Sequence, residues 1–248
     1  MAESMPALRQ PKQGPTNSRK LLIILLLLFV VLLCVLFFRS PISKISTISV
    51  SGQQYIAAED IRASSGIVEG DPFFFPSKGE IERRIAKLKP VEAVIVDKTF
   101  PGKIAITVKE FPAVAFELTD DGFITAILSN GATVGNGSNF VVDKPMLSGW
   151  KKNDPNKAEL TRVLSAVPDE LLSDFSEIIP YPSKSYQDRI KIFTRTKFQI
   201  VTAVSLLEAK AGTIQAVIET QEPGNVTTLL SDYYVPYAAN QAATDKAE

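Results

Sequence analysis

The chain has 248 residues, with 27 basic and 27 acidic side chains, so its formal net charge at neutral pH is zero. A nucleic-acid-binding protein needs a basic surface, and this balance excludes such a partner. Histidine is absent, which removes the commonest general base and the commonest transition-metal ligand. The composition therefore excludes Ser-His triads and metal hydrolases, and we expect no metal site, cofactor or small-molecule substrate.

Residues 21–38 form an unbroken apolar run of Leu, Ile, Val and Phe, interrupted only by Cys34. As a helix, 18 residues rise roughly 27 Å, close to the roughly 30 Å thickness of the hydrocarbon core of a bilayer. A cleaved secretory signal is the alternative, but its apolar region usually has about 7 to 15 residues, and no small-x-small cleavage site follows Phe38. The run therefore predicts a retained transmembrane helix.

The charges beside this run predict its orientation. Residues 1–20 carry four basic side chains and one acidic one, a net charge of +3, whereas residues 39–248 carry 23 basic and 26 acidic side chains, a net charge of −3. Cytoplasmic flanks are enriched in Lys and Arg, so we expect a cytoplasmic tail at 1–20 and an extracytoplasmic remainder. The residues expected to flank the anchor at its two ends are Arg19, Lys20 and Arg39.

Residues 42–111 predict a compact βααββ unit. A short strand around Ile48 ends at Gly52, and a helix over 57–64 stops at Gly66, where a left-handed residue often closes a helix. Ser77 and Glu80 have the spacing of a capping box, which predicts the start of a second helix. Strands over 91–98 and 103–110 follow, joined by Phe100-Pro101-Gly102 in type II turn order. A three-stranded sheet covered by two helices is expected.

Residues 112–237 alternate turns, short strands and helices. Turn sequences at 119–122 and 129–131 flank a strand over 123–128, as in hairpins. Asp154-Pro155 supplies an N-cap and a first-turn proline for one helix. A hairpin over 189–193 and 198–202 and a helix over 204–219 follow. We expect an α+β chain with a mixed, β-rich second domain, and a disordered tail over 238–248.

Several motifs occur in a fixed order along these segments. They are Val50-Ser51-Gly52, Phe100-Pro101, Val108-Lys109-Glu110-Phe111-Pro112-Ala113-Val114-Ala115, Asp121-Gly122, Lys144-Pro145-Met146-Leu147-Ser148-Gly149, Pro223-Gly224 and Tyr234-Val235-Pro236-Tyr237. The element order directly after an anchor resembles a POTRA domain, a module that handles other polypeptides. The motifs resemble the DivIB/FtsQ family of bacterial cell-division proteins, although Phe111 stands where that family often has a basic residue.

The resemblance implies a non-catalytic scaffold at the division septum. Its implied partners are proteins of the FtsL and DivIC/FtsB type, with septal penicillin-binding proteins downstream, and membrane lipid. The family's C-terminal region receives these partners, and 225–234 predicts a late strand that could lie at a sheet edge and accept a partner strand. The residues predicted to bind a partner are Val226, Thr228, Leu230, Tyr233 and Tyr234. The alternative is an ordinary core strand.

Three further features leave alternatives open. The basic residues Arg83, Arg84, Lys87 and Lys89 form either a docking patch or a solvated helix face, and Trp150 either recognises a partner or covers a core edge. Ser148-Gly149-Trp150-Lys151 matches Ser-x-x-Lys, which would suit a membrane-anchored cell-wall enzyme, but no Lys-Thr-Gly follows and a loop is predicted there. A POTRA chaperone of a secretion system is weakened because no long series of barrel strands follows.

Overall fold

The computed structural model describes residues 18–119, 121–135, 142–151 and 153–237. Helix α1, Ser18–Arg39, has 22 residues, and its side chains from Arg19 onwards are exposed on every face. Within the described residues it is the one helix long and apolar enough to cross a membrane. Residues 1–17 and the predicted tail at 238–248 lie outside the described ranges.

The unit after α1 confirms the predicted βααββ order. A 3₁₀ turn, Pro41–Ser43, is followed by β1 Thr47–Ser51, α2 Ala58–Ser65, α3 Lys78–Ile85, β2 Val91–Thr99 and β3 Lys103–Glu110. The strand order is β1-β3-β2, with β3 parallel to β1 and antiparallel to β2. Both helices contribute buried isoleucines to the core of this sheet.

Local signals explain these elements. Alternate residues of β3 are buried, as expected for a strand with one face on a core. Gly66 closes α2 in the left-handed conformation (φ +66°), and the Ser77 hydroxyl accepts a hydrogen bond from the Glu80 N–H at 3.3 Å at the start of α3. In the β2–β3 turn, Gly102 has the positive φ of a type II turn, and the Phe100–Pro101 peptide is cis, which the sequence did not predict.

The second unit is a nine-stranded mixed sheet with helices. Its elements are β4 Ala113–Leu118, β5 Ile124–Leu128, β6 Thr133–Gly135, β7 Met146–Leu147, α4 Pro155–Leu164, α5 Asp169–Asp174, β8 Phe175–Pro180, β9 Arg189–Thr194, β10 Gln199–Ala203, α6 Val204–Thr220, β11 Gly224–Thr228 and β12 Asp232–Pro236. The strand order is β12-β11-β10-β9-β8-β7-β4-β5-β6. The α+β fold with a β-rich second domain is therefore confirmed.

One predicted strand of this sheet is divided in the structure, and several neighbouring strands are parallel. The stretch 225–234 was predicted as one strand but forms parts of β11 and β12, which pair antiparallel across a tight turn. Parallel pairing also occurs between β4 and β7, between β7 and β8, and between β10 and β11. Helix α6 makes the crossover between β10 and β11, because parallel neighbours need a long connection.

The two units share a small apolar cluster. Tyr55, from the segment before α2, and Phe111 pack with buried residues of β4 and β5, including Phe116 and Leu128. The Asn130 side-chain amide donates to the Lys89 carbonyl at 2.8 Å across the same junction. The βααββ unit is thus packed directly against β4 and β5, near one end of the long sheet.

Candidate partner-binding edge

Strand β12 is the last strand at one end of the nine-stranded sheet. Its one sheet neighbour is β11, with Val226 opposite Tyr234 and Thr228 opposite Asp232. Among the residues that the structure describes, no strand lies on the other side of β12. A free edge presents backbone N–H and C=O groups that can pair with an added strand.

The hydrogen-bond pattern identifies which backbone groups face outward. In an antiparallel pair, hydrogen-bonded and non-hydrogen-bonded positions alternate. The Tyr237 N–H donates to the Pro223 carbonyl at 3.3 Å, which assigns Tyr233 to the hydrogen-bonded positions and Tyr234 to the others. The backbone groups of Asp232 and Tyr234 consequently point away from β11. Pro236 has no N–H, so the edge can donate only over the earlier part of β12.

The five residues predicted to bind a partner fall into a buried group and an exposed group. Val226 and Thr228 lie on the internal strand β11 and are 2% and 1% exposed. Leu230, in the turn between β11 and β12, is 92% exposed, and Tyr233 is 58% exposed. These two side chains are accessible to a partner, whereas those of Val226 and Thr228 belong to the interior.

Tyr234 fixes the hairpin to the rest of the domain. Its ring lies 6.5 Å from that of Phe198, centroid to centroid, and its hydroxyl donates to the Glu222 carbonyl at 2.5 Å. Desolvation, with the Glu222 charge adding to it, raises the pKa of the Tyr234 phenol. The hydroxyl therefore stays protonated at neutral pH and can donate this bond. The outward backbone of Tyr234 remains on the open edge.

A small depression lies between α6 and the β11–β12 hairpin, next to the outer strand. Thr213 and Val217 of α6 line it together with residues of the β11–β12 hairpin, and its volume is about 150 Å³. Lys210 of the same helix forms an ion pair with Asp232 at 2.8 Å, at the start of β12. The sequence analysis missed these α6 residues. The polar face of α6 gave no signal that it flanks an edge strand.

The structure shows what the Trp150 side chain and part of the basic cluster at 83–89 contact. The Trp150 indole N–H donates to the Ile178 carbonyl at 3.0 Å, and the ring packs on the main core, so this side chain covers a core edge. Arg84 pairs with Glu80 at 2.6 Å and donates to the Ser65 carbonyl at 3.2 Å, which links α3 to the end of α2. Lys87 and Lys89 have exposed side chains.

Replacing Trp150 with phenylalanine is expected to destabilise the second domain by about 1 kcal/mol, since most packing is kept and one hydrogen bond to a carbonyl is lost. Urea unfolding of the full chain in detergent micelles, followed by circular dichroism, measures this change. Phe123→Leu is the control, because Phe123 is exposed in the β4–β5 turn. Equal stability of Trp150→Phe and the unchanged chain would show that the indole bond contributes nothing.

The Ser-x-x-Lys match has no helical geometry. Ser148 follows β7 and lies in no helix. Its N–H donates to the Ile178 carbonyl at 3.2 Å, and the Lys151 side chain is exposed. A helical turn is what would bring a serine and a lysine at this spacing together. At the two ends of the apolar helix, Arg19 and Lys20 lie in the first turn of α1 and Arg39 is its last residue, all three exposed.

Comparison with known proteins places the chain in a family. The model of the POTRA domain, FtsQ-type, matches residues 43–111. The cell division protein DivIB of Paenibacillus polymyxa (strain E681) is 44% identical over 234 residues, covering 94% of this chain and 92% of the relative. DivIB of Geobacillus kaustophilus (strain HTA426) is 27% identical over 96% of this chain and 92% of the relative.

Among solved structures, the chain is similar to the major extracytoplasmic domain of the trans isomer of the bacterial cell division protein DivIB from Geobacillus stearothermophilus. It is 26% identical and covers 44% of this chain and 92% of the solved chain, with a TM-score of 0.38. The full-length similarity to the Paenibacillus protein carries the assignment, and with it a non-enzymatic role in cell division. The chain belongs to the DivIB family of cell-division proteins.

Proposed function

We propose that this protein is a membrane-anchored, non-catalytic scaffold of the division septum, and that the β12 edge receives a segment of another division protein. The observation that carries the proposal is the open edge of β12, flanked by the exposed side chains of Leu230 and Tyr233. A partner strand would gain main-chain hydrogen bonds from the outward groups of Asp232 and Tyr234. Tyr233 would supply the aromatic anchor that interfaces favour.

In this proposal the membrane anchor allows individually weak contacts with partners to hold an assembly together. In this proposal residues 1–20 are cytoplasmic, 21–38 span the membrane, 42–111 are the POTRA domain, and 112–237 are the partner-binding domain beyond the membrane. The excess of basic residues before α1 supports this orientation. Confinement to one membrane raises the effective concentration of scaffold and partner, so modest individual affinities can hold an assembly together.

The proposed partners are single-pass proteins of the FtsL and DivIC/FtsB type, with septal penicillin-binding proteins in the same assembly. Family membership supports partners within cell division. The open edge favours an extended partner segment over a helical one, because β-augmentation supplies hydrogen bonds along the backbone. Val226 and Thr228 enter this proposal as the internal strand that supports β12, and Leu230, Tyr233 and Tyr234 as the contact residues.

Photo-cross-linking in dividing cells tests the edge. A photoreactive amino acid at Leu230 or Tyr233 is expected to capture a partner of the FtsL or DivIC/FtsB type. The same amino acid at Phe123 is the matched control, since Phe123 is 57% exposed beside β5, at the opposite end of the sheet. Equal capture of those partners from all three positions, or capture from Phe123 alone, would overturn the edge assignment.

A double substitution measures the energetic share of the two side chains. Leu230→Ala with Tyr233→Ala is expected to lower partner recovery about tenfold or more, as for loss of an interface hot spot worth about 1.4 kcal/mol or more. Stability should be nearly unchanged, because both side chains are exposed. The scaffold proposal would be contradicted by two results together. These are unaltered partner recovery with the double variant, and a uniform rather than septal distribution of a fluorescent fusion of the unchanged chain.

A further inference from the structure

A row of phenylalanine rings connects the end of the membrane helix to the POTRA domain. Phe74 lies 6.1 Å from Phe37 and 6.0 Å from Phe38, the last two aromatic residues of α1, measured between ring centroids. The row continues to Phe73 at 5.4 Å and to Phe100 at 6.2 Å from Phe74. The loop before α3 and the β2–β3 turn therefore meet at the exit of the helix.

The connection between helix and domain is structured, so this placement is not left to a loose tether. The Oγ of the buried Ser43 lies 2.9 Å from the carbonyl oxygens of both Phe38 and Ser40, so its single O–H donates to one of them or is shared between the two. The Phe73 N–H donates in turn to the Ser43 carbonyl at 2.8 Å. One short segment thus joins the last turn of α1 and the phenylalanine loop.

Several apolar side chains at this exit face away from the protein. Phe75 is 71% exposed, and Ile42, Phe74 and Phe100 are each between 43% and 55% exposed. We call Ile42, Phe74, Phe75 and Phe100 the juxtamembrane patch. Their exposure contrasts with that of Phe73, which is 6% exposed and belongs to the POTRA core.

Three basic residues lie next to the patch along the chain or in space. The Lys98 ammonium lies 5.1 Å from the centroid of the Phe73 ring and donates to the Pro76 carbonyl at 2.8 Å. The backbone of Lys44 forms an isolated antiparallel β-bridge with Pro72, next to the phenylalanine loop, and Arg39 is the last residue of α1. Exposed apolar rings with basic residues nearby suit the boundary between acyl chains and anionic headgroups.

We propose that the juxtamembrane patch inserts into the outer interface of the same bilayer that α1 spans, so that the POTRA domain rests on the membrane surface in a fixed orientation. This inference rests on the membrane anchoring in the proposed function. The occupant follows from continuity: the patch touches the rings of Phe37 and Phe38, the last residues of the apolar run. An 18-residue run of roughly 27 Å places those rings at the edge of the hydrocarbon core.

Depth measurements on the full chain test this insertion. The chain is reconstituted at one copy per nanodisc in phosphatidylethanolamine and phosphatidylglycerol, and a nitroxide is attached at single cysteines. Cys34, the one native cysteine, reports on the span. In a Cys34→Ala background, Phe75→Cys reports on the patch and Phe123→Cys on an exposed ring of the second domain. Collision with oxygen, which partitions into lipid, is compared with collision with a water-soluble nickel chelate.

The label at position 75 is expected to collide with the nickel chelate several-fold less than the label at 123, and with oxygen more. Equal nickel accessibility at 75 and 123, with the Cys34 label in lipid, overturns the patch and leaves the anchor intact. Water accessibility at Cys34 itself would instead overturn the anchor and the proposed function with it. Protection of position 75 only at several copies per disc would identify a second copy of the chain as the cover, which contradicts insertion.

A second reporter keeps every phenylalanine in place. Thr99 is exposed beside Phe100, and a label at Thr99→Cys is expected to be partly protected from the nickel chelate. Adding Phe74→Ser and Phe75→Ser should raise its nickel accessibility several-fold, whereas adding Phe123→Ser should not change it. No change with the double serine variant would show that the rings do not hold the domain to the membrane.

Discussion

Replacing Gly52 with alanine is expected to destabilise the POTRA domain by about 3 kcal/mol or more. Gly52 follows β1 with φ +85°, a backbone conformation that residues other than glycine rarely adopt. A Cβ built at this position would overlap the carbonyl oxygen of Val108, on β3. Backbone strain and a backbone clash therefore add, and β3, the central strand, cannot move away cheaply.

Gly70→Ala is the matched control, because Gly70 has φ +96° in the same domain and open space around the built Cβ. It should cost only the conformational penalty, about 1 kcal/mol. Urea unfolding of both full-chain variants in detergent micelles, with amide exchange of β1–β3 as the domain-specific readout, separates the two contributions. Equal losses for the two variants would contradict the clash with Val108.

Local patterns carried enough information to predict the POTRA fold. The alternation in β3, the left-handed stop at Gly66 and the Ser77 cap each depend on neighbours within a few residues, and the structure confirms all three. The order of strands in the second domain depends on contacts far apart in the sequence. Parallel pairs such as β7 with β8 leave no turn signature, so hairpin chemistry predicted only some of the neighbours.

The candidate edge was predicted in part for the same reason. Residues 225–234 were predicted as one strand, but the turn around Leu230 divides them into parts of β11 and β12. After the turn the chain runs back beside β11, so β12 and not β11 is the last strand of the sheet. Val226 and Thr228 fall on the internal strand, whereas Tyr233 falls on the outer one. Side-chain type alone could not separate them, because β-branched and aromatic residues suit an internal and an outer strand alike.

Two of the sequence motifs contact each other in the folded chain, and this contact explains their residues. Val50-Ser51-Gly52 and the segment from Val108 to Pro112 lie more than 50 residues apart, yet they meet beside the junction of the two domains. Gly52 leaves room for the Val108 carbonyl, and the Glu110 carboxylate reaches the chain directly after Gly52. Neither motif shows this role alone, since a glycine and a glutamate are compatible with many local structures.

Removing the Glu110 carboxylate is expected to be the second large effect. Its two oxygens accept backbone N–H groups of Gln54, Tyr55 and Ile56, at 3.1, 2.8 and 3.1 Å, and the residue is only 9% exposed. Glu110→Ala leaves three partly buried donors without their acceptor, and we expect a loss of about 2 to 4 kcal/mol. Glu110→Gln keeps one amide oxygen as an acceptor and should lose less.

The same change should loosen the contact between the domains, because the Tyr55 ring packs with Phe111 and with residues of β4 and β5. Amide exchange is therefore expected to accelerate at 54–56 and in β4 of the Glu110→Ala chain. Glu92→Ala is the control: its carboxylate pairs with Lys109 at 2.9 Å on the surface, where the Lys109 side chain is 70% exposed. Such a pair contributes at most about 1 kcal/mol. Comparable unfolding free energies for Glu110→Ala and Glu92→Ala would show that the three backbone hydrogen bonds do not hold residues 54–56 in place. Faster amide exchange confined to 54–56 would show that Glu110 holds this segment but that the segment does not couple the two domains.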